Sequence, residues 1–182
     1  MLLTFPNGDH MKQELDQKLC EKYPLMMVNR NGAVTETCMC WGVECGDGWY
    51  NILNSLMSNI QHHIDWNNTN VEKEYTQYKQ VPQVILDQVK EKFGTLRFYY
   101  TGGDDYIRGL VSMAESMSAI TCETCGNPGE QTHSVWIKTT CKPCERKRAT
   151  EDARRIAEYE TKKETKNEIS YQFIGEDTGE HD

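Results

Sequence analysis

The sequence predicts an α+β fold: a small antiparallel hairpin packs with two or three helices, and a compact four-cysteine module follows. Three observations lead there. Leu96, Phe98 and Tyr100 alternate with Thr95, Arg97 and Tyr99, the period of a half-buried strand, just after a turn glycine at Gly94. Trp49, Ile52, Leu53, Leu56, Ile60 and Ile64 recur at the three- and four-residue spacing of a helical stripe. Cys122, Cys125, Cys141 and Cys144 form two C-x-x-C pairs with fifteen residues between them.

In chain order, Met11 to Tyr23 reads as a short helix, with Leu15 and Leu19 four apart and Pro24 ending it. Asn29 to Val34 is a loop turning at Asn31-Gly32. The glycines within Thr37 to Trp49 predict a structured loop or a bent short strand. The helix from Trp49 to Ile64 follows, with Asp47 as its expected N-cap. Asp65 to Gln80 is polar and without apolar period, so it reads as a linker or excursion. Gln83 to Phe93 and Thr95 to Thr101 form the hairpin. Gly102-Gly103-Asp104-Asp105 breaks the second strand and caps a helix over Tyr106 to Ile120, whose Ile107, Leu110, Val111, Ala114, Met117 and Ile120 share a face. Gln131 to Thr139 gives a short strand pair, and Pro143 to about Asn167 a charged helix. The expected organisation is an α+β domain over 1–120, the cysteine module with its helix over 121–169, and an acidic, disordered tail over 170–182.

Two thiolate pairs at this spacing can close a tetrahedral zinc site. Gly126 allows the tight turn of Cys122 to Gly129, and Cys141-Lys142-Pro143-Cys144 opens a helix. Knuckle, hairpin and helix start is the order of a treble clef, favoured here over a zinc ribbon, which would need a second knuckle leading into a strand. The expected cofactor is one structural Zn2+ held by Cys122, Cys125, Cys141 and Cys144. Four thiolates leave no position open for chemistry, so the metal staples the fold.

The chain has 182 residues and a formal net charge of −8, which argues against a general nucleic-acid coat protein. Eight cysteines could suggest a secreted disulfide scaffold. The start, Met1-Leu2-Leu3-Thr4-Phe5 followed by Pro6-Asn7-Gly8-Asp9, is too short for a secretion signal. No apolar run is long enough to cross a bilayer. Metal-bound thiolates in a reducing cytoplasm are the expectation.

Three strings carry a resemblance: Glu44-Cys45-Gly46-Asp47-Gly48-Trp49, Lys90 to Tyr99 (KEKFGTLRFY), and the knuckle at Cys122 to Gly129. Together they resemble a family of short, largely uncharacterised proteins of tailed phages, prophages and some bacteria, over roughly residues 37 to 145. The resemblance implies a cytoplasmic protein, in the host cytoplasm if phage-encoded. It brings no ligand or catalytic assignment. Stand-alone phage proteins of this size are often accessory factors, many of which neutralise host defence or redirect host enzymes.

If Phe93-Gly94 is a two-residue turn, Lys92 faces Thr95 and Lys90 faces Arg97, so Lys90, Lys92, Arg97 and Tyr99 share a face. Like charges placed opposite one another cost stability unless an anion bridges them, and arginine suits bidentate phosphate contact. With Asp104 nearby, these residues are the candidate ligand site; the alternative is an exposed polar face paired with Glu91 and solvent. Cys20, Cys38, Cys40, Cys45 and His62-His63 make a poor second metal set, because adjacent helical histidines diverge by about 100°. Glu44, Asp47, His62, Asp104 and Asp105 are the acid–base candidates, and capping explains Asp47 and Asp104 more simply. His133 suits an HNH-type nuclease, but the helix after Cys144 offers no histidine. Lys138, Lys142, Arg146, Lys147 and Arg148 could contact phosphates, or form part of a salt-bridged helix surface.

The sequence therefore predicts binding without catalysis, with a host protein or phosphate-bearing small molecule as partner. An enzyme acting on nucleotides or nucleic acid through Asp47, His62 and Asp104 is the first alternative. A nucleic-acid-binding zinc module with an adaptor domain is the second. No membrane association is expected.

Overall fold

The computed structural model describes residues 10–132 and 136–175, with side chains up to residue 163. His133 and residues 176–182 of the expected tail lie outside the described residues. The chain divides into two compact units, one ending at Cys141 and one beginning at Lys142.

In the first unit the order is α1 (Gln13–Lys22), three short 3-10 turns, α2 (Tyr50–Glu72), β1 (Ile85–Lys92), β2 (Thr95–Thr101), α3 (Asp105–Ser118), β3 (Glu130–Gln131) and β4 (Thr139–Thr140). β1 and β2 form an antiparallel two-stranded sheet, and so do β3 and β4.

The hairpin turns at Phe93 (φ 54°) and Gly94 (φ 76°), positive at both central residues as a type I′ turn requires. The expected register results: Lys92 faces Thr95 and Lys90 faces Arg97. A bulge between Leu86 and Gln88 adds one residue to β1. Leu86 and Val89, three apart, therefore both turn inward beside Leu96 and Phe98, and all four are buried.

Both edges of this sheet are covered. On the β1 side the Leu86 amide donates to the Met26 carbonyl (2.9 Å), and Glu44 pairs in parallel: its amide donates to the Val89 carbonyl and its carbonyl accepts from the Glu91 amide, both at 2.9 Å. On the β2 side α3 supplies side chains. The Leu96 amide donates to the Ser118 hydroxyl (2.8 Å) and the Phe98 amide to a Glu115 carboxylate oxygen (3.1 Å). Leu53, Met57 and Ile60 of α2 close the core with Trp49, Ile107, Leu19, Met26 and Met39.

Two expectations are corrected here. Asp65 to Gln80 is not wholly linker, because α2 runs on to Glu72. Asparagines replace the missing apolar period: Asn68 accepts from the Val81 amide (2.8 Å) and donates to its carbonyl (3.0 Å), and Asn70 is buried. Asp47 does not cap α2. Its carboxylate accepts from the Lys12 backbone amide at the start of α1 (2.8 Å) and pairs with the Lys12 ammonium (2.8 Å). Asp104 does cap α3, accepting from the Ile107 amide (3.1 Å).

The second unit is α4 (Lys142–Gly175), which extends beyond the expected end near Asn167 and into the expected tail. Its described side chains are mostly exposed and carry short-range ion pairs, such as Arg154 with Glu151 (3.4 Å) and Glu158 (3.8 Å). Exposed pairs of this kind add little stability.

Candidate metal centre

The turn at Cys122 is built by its own backbone. The Gly126 amide donates to the Cys122 carbonyl (2.8 Å) and the Cys122 amide to the Asn127 carbonyl (2.8 Å), while Thr121 and Pro128 form a bridge. Gly126 holds φ 76°, a conformation that favours glycine. Cys141 follows β4 directly, and Cys144 lies in the first turn of α4.

The sulfurs of Cys122, Cys125, Cys141 and Cys144 all lie within 4.8 Å of one another, with Cys125 and Cys141 at 3.6 Å. Zn–S bonds of about 2.3 Å in a tetrahedron separate sulfurs by about 3.8 Å, so this set fits a metal ion of that geometry. Burial pushes the Cys122 thiol up, but backbone amides of Cys141, Cys125 and Thr124 donate to it and bring it down to about 6. Amides aimed at sulfur favour the thiolate, the form a metal needs. This is the only such metal-ligating group among the described residues. Cys20, Cys38, Cys40, Cys45, His62 and His63 do not gather into a second one.

Glu123, the residue after Cys122, ties this turn to the rest of the first unit. Its carboxylate accepts from the Gly46 amide (3.0 Å) and meets the Lys138 ammonium (3.4 Å). Its carbonyl accepts from the Gly48 amide (2.8 Å), and its amide donates to the Thr139 carbonyl (2.9 Å). Burial raises the Glu123 carboxyl, against the pull of Lys138 and the Gly46 amide. The Trp49 indole donates to the Thr121 carbonyl (2.8 Å). Gly48 lies so close that a methyl there would overlap the Cys122 carbonyl and reach within 2.7 Å of the Cys125 amide. The hairpin tip joins from the other side, where the Thr139 hydroxyl donates to the Gly94 carbonyl (2.5 Å). Glu44–Trp49, Lys90–Tyr99 and Cys122–Gly129 thus converge on one point. The cysteine turn packs on the hairpin, as the short connection at Thr121 suggests.

The candidate ligand residues are only partly gathered. Lys90, Arg97 and Tyr99 are neighbours, with the Lys90 ammonium 5.6 Å from the Tyr99 ring centre. Lys92 lies nearer the tip, 5.5 Å from the Phe93 ring centre. The Arg97 Nη1 donates to the Thr95 hydroxyl (2.7 Å) and the Leu96 carbonyl (2.8 Å). Asp104 is engaged elsewhere: its carboxylate accepts from His63 Nε2 at 2.8 Å. Burial pushes the Asp104 carboxyl up, but hydrogen bonds from His63 and the Ile107 amide prevail and hold it below its ordinary value.

His63, and not its neighbour His62, makes this pair. Its Nδ1 accepts from the Asn67 amide (3.2 Å), and its ring stacks on Tyr106, centres 4.3 Å apart. Both ring nitrogens are therefore engaged, which suits a brace between α2 and α3 better than a general base. A shallow groove of about 270 Å³ beside it is lined by Asn59, His62, His63, Trp66 and Tyr106. Helical phase separates the two histidines in the sequence, since His63 lies next to the apolar stripe and His62 does not. Nothing in the sequence marks Glu123.

No family model, curated protein or solved structure matches this chain. Among the described residues no helix is long and apolar enough to cross a membrane.

Proposed function

We propose that this chain is a phage-type accessory protein of the host cytoplasm, stapled by one structural Zn2+ in a treble-clef-like module, which acts by capture and not by turnover. Four thiolates satisfy a tetrahedral ion completely, so the metal's contribution is folding energy. The β3–β4 pair between the cysteine turn and the helix bearing Cys144 supports the treble-clef reading.

The observation that carries the capture reading is Lys90 standing opposite Arg97, with Lys92 two pairs further along. Like charges in register are destabilising, and an anion between them reverses the sign of the interaction. The Arg97 contacts to Thr95 and Leu96 come from Nη1, leaving the guanidinium's other N–H groups to meet an anion. Tyr99 adds an aromatic surface beside the charges. A phosphate-bearing small molecule or an acidic patch on a host protein suits this face. Anti-defence activity would follow if the captured molecule is a host signal or effector.

Native mass spectrometry of protein purified from its expression host tests the reading. The expected result is one zinc per chain plus a further non-covalent mass, lost in Arg97→Ala with zinc retained. Capture that survives Arg97→Ala would remove the hairpin face from the proposal. A chain that carries zinc alone would favour a macromolecular partner.

A further inference from the structure

The outward face of the β1–β2 hairpin repeats one small arrangement twice. The Lys90 ammonium lies 5.6 Å from the Tyr99 ring centre, and the Lys92 ammonium 5.5 Å from the Phe93 ring centre. Each couple sets a cation beside an aromatic surface, which is what a nucleotide's phosphate and base call for. Lys90 and Lys92 are two residues apart on one face of a strand, so the couples repeat at about 6.7 Å. That is the order of one nucleotide step in an extended single strand. Arg97, opposite Lys90, adds a second cation between the rings.

Phe93 provides an independent observation. It holds φ 54°, in the left-handed region where asparagine and glycine are preferred and a bulky side chain is strained. The ring gains no burial in exchange, being 68% exposed. Three hydrogen bonds fix the turn in this state. The Gly94 amide donates to the Glu91 carboxylate (2.6 Å), the Thr139 hydroxyl donates to the Gly94 carbonyl (2.5 Å), and the Gln131 side-chain amide donates to the Phe93 carbonyl (3.4 Å). An aromatic ring held in solvent on a strained backbone serves no packing within the chain. A base stacked on it would use both the ring and its position.

The charges are equally uncommitted. Among the described residues no carboxylate pairs with Lys90, Lys92 or Arg97. Glu91, between the two lysines in sequence, is turned to the Gly94 amide instead. The chain's net charge of −8 does not forbid an anion here, because exposed charges beyond about 10 Å are largely screened at 0.1 M salt.

Resting on the capture reading given above, we propose that this face binds a single strand of nucleic acid over two successive nucleotides. The bases stack on Tyr99 and Phe93, and Lys90, Lys92 and Arg97 meet the phosphates. Stacking on ring faces reads no base identity, so binding is tolerant of sequence. A duplex keeps its bases stacked on one another and offers neither ring a face.

Fluorescence anisotropy of the full zinc-loaded chain with labelled oligothymidylate, between about 50 and 200 mM salt, tests this. The strand should bind, and log K against log salt should fall with a slope of about −2, three phosphates at about −0.7 each. Phe93→Asn supplies a residue the turn prefers and removes the ring. It should raise the melting temperature yet weaken binding at least about fivefold, opposite signs that a purely structural ring would not give. Tyr99→Ala should weaken binding similarly and Tyr99→Phe should not. Lys90→Gln should flatten the slope by about 0.7. Unlabelled 5′-phosphorylated dithymidylate should compete, as tightly as the longer strand if a free dinucleotide is the ligand and more weakly if a strand is; no competition would overturn the two-nucleotide footprint. Equal binding of a duplex or of polyglutamate, or a Phe93→Asn variant that binds like the wild type, would overturn the proposal. A co-purified mass lost in Arg97→Ala, from a chain that ignores oligothymidylate, would overturn the nucleic-acid assignment and leave the capture reading standing.

Discussion

The Glu123 carboxylate accepts the Gly46 amide hydrogen bond at 3.0 Å across 77 residues of sequence. A side chain inside the first C-x-x-C thereby anchors the loop that leads into α2. The cysteine turn therefore packs against the core region through Gly46, Gly48 and Trp49.

Cys125→Ser should abolish stoichiometric zinc binding, because three thiolates and a hydroxyl hold the ion far less tightly. The cysteine turn packs on Gly46, Gly48 and Trp49, so the loss should also lower the melting temperature of the α+β body. Metal analysis and thermal denaturation of the same samples check both. Unchanged metal content would refute the assignment.

Glu123→Ala removes the carboxylate that the Gly46 amide and the Lys138 ammonium meet in a mostly buried setting. The expected cost is about 3 kcal/mol, the scale for breaking one side of a buried pair. Urea denaturation at fixed zinc concentration measures it. A loss below about 0.5 kcal/mol would mean that solvent replaces the carboxylate easily.

Gly48→Ala inserts one methyl where the Cys122 carbonyl and the Cys125 amide already press. Overpacking against backbone should destabilise by about 2 kcal/mol and weaken metal retention. Gly109→Ala, by contrast, should be neutral or slightly stabilising, since nothing lies within 4 Å. Competition with a chelator, run on both variants, separates them.

The His63–Asp104 pair predicts an acid limb of stability. A carboxyl held below its ordinary value binds its proton more weakly in the folded chain than in the unfolded one. Its contribution is complete above the ordinary aspartate range and is lost as pH falls through the depressed value. Asp104→Asn keeps a capping side chain but removes the charge, so it should cost about 1 kcal/mol or less near neutrality and nothing in strong acid. Melting curves of both proteins against pH should converge on the acid side; parallel curves would contradict the assignment.

The hairpin and α3 were legible because their signals are local: a turn that needs positive φ at Phe93-Gly94, strict alternation after it, and a capping aspartate at Asp104. The four cysteines were legible because their spacing has few other uses. Three features depended on partners distant in sequence. Asp47 looks like a cap for the helix after it, yet it serves Lys12, 35 residues earlier. The end of α2 is held by Asn68 bonding to Val81 and Asn70 to the Trp66 carbonyl, a pattern without apolar period. Within the cysteine turn, Glu123 occupies a position any residue could fill, and only the fold brings it to Gly46. β1 departs from simple alternation at its bulge, which lets Leu86 and Val89 share a face.

Trp49 is fully buried, and its indole N–H bonds to the carbonyl of Thr121, the residue before Cys122. The other three tryptophans, Trp41, Trp66 and Trp136, are all exposed. The chain thus contains its own optical gauge of metal occupancy. Short-wavelength emission comes from one indole, and that indole bonds to the residue that opens the cysteine turn. Stripping the ion should redden and dim that component, and titrating zinc back should restore it, so loading can be followed in real time without a label.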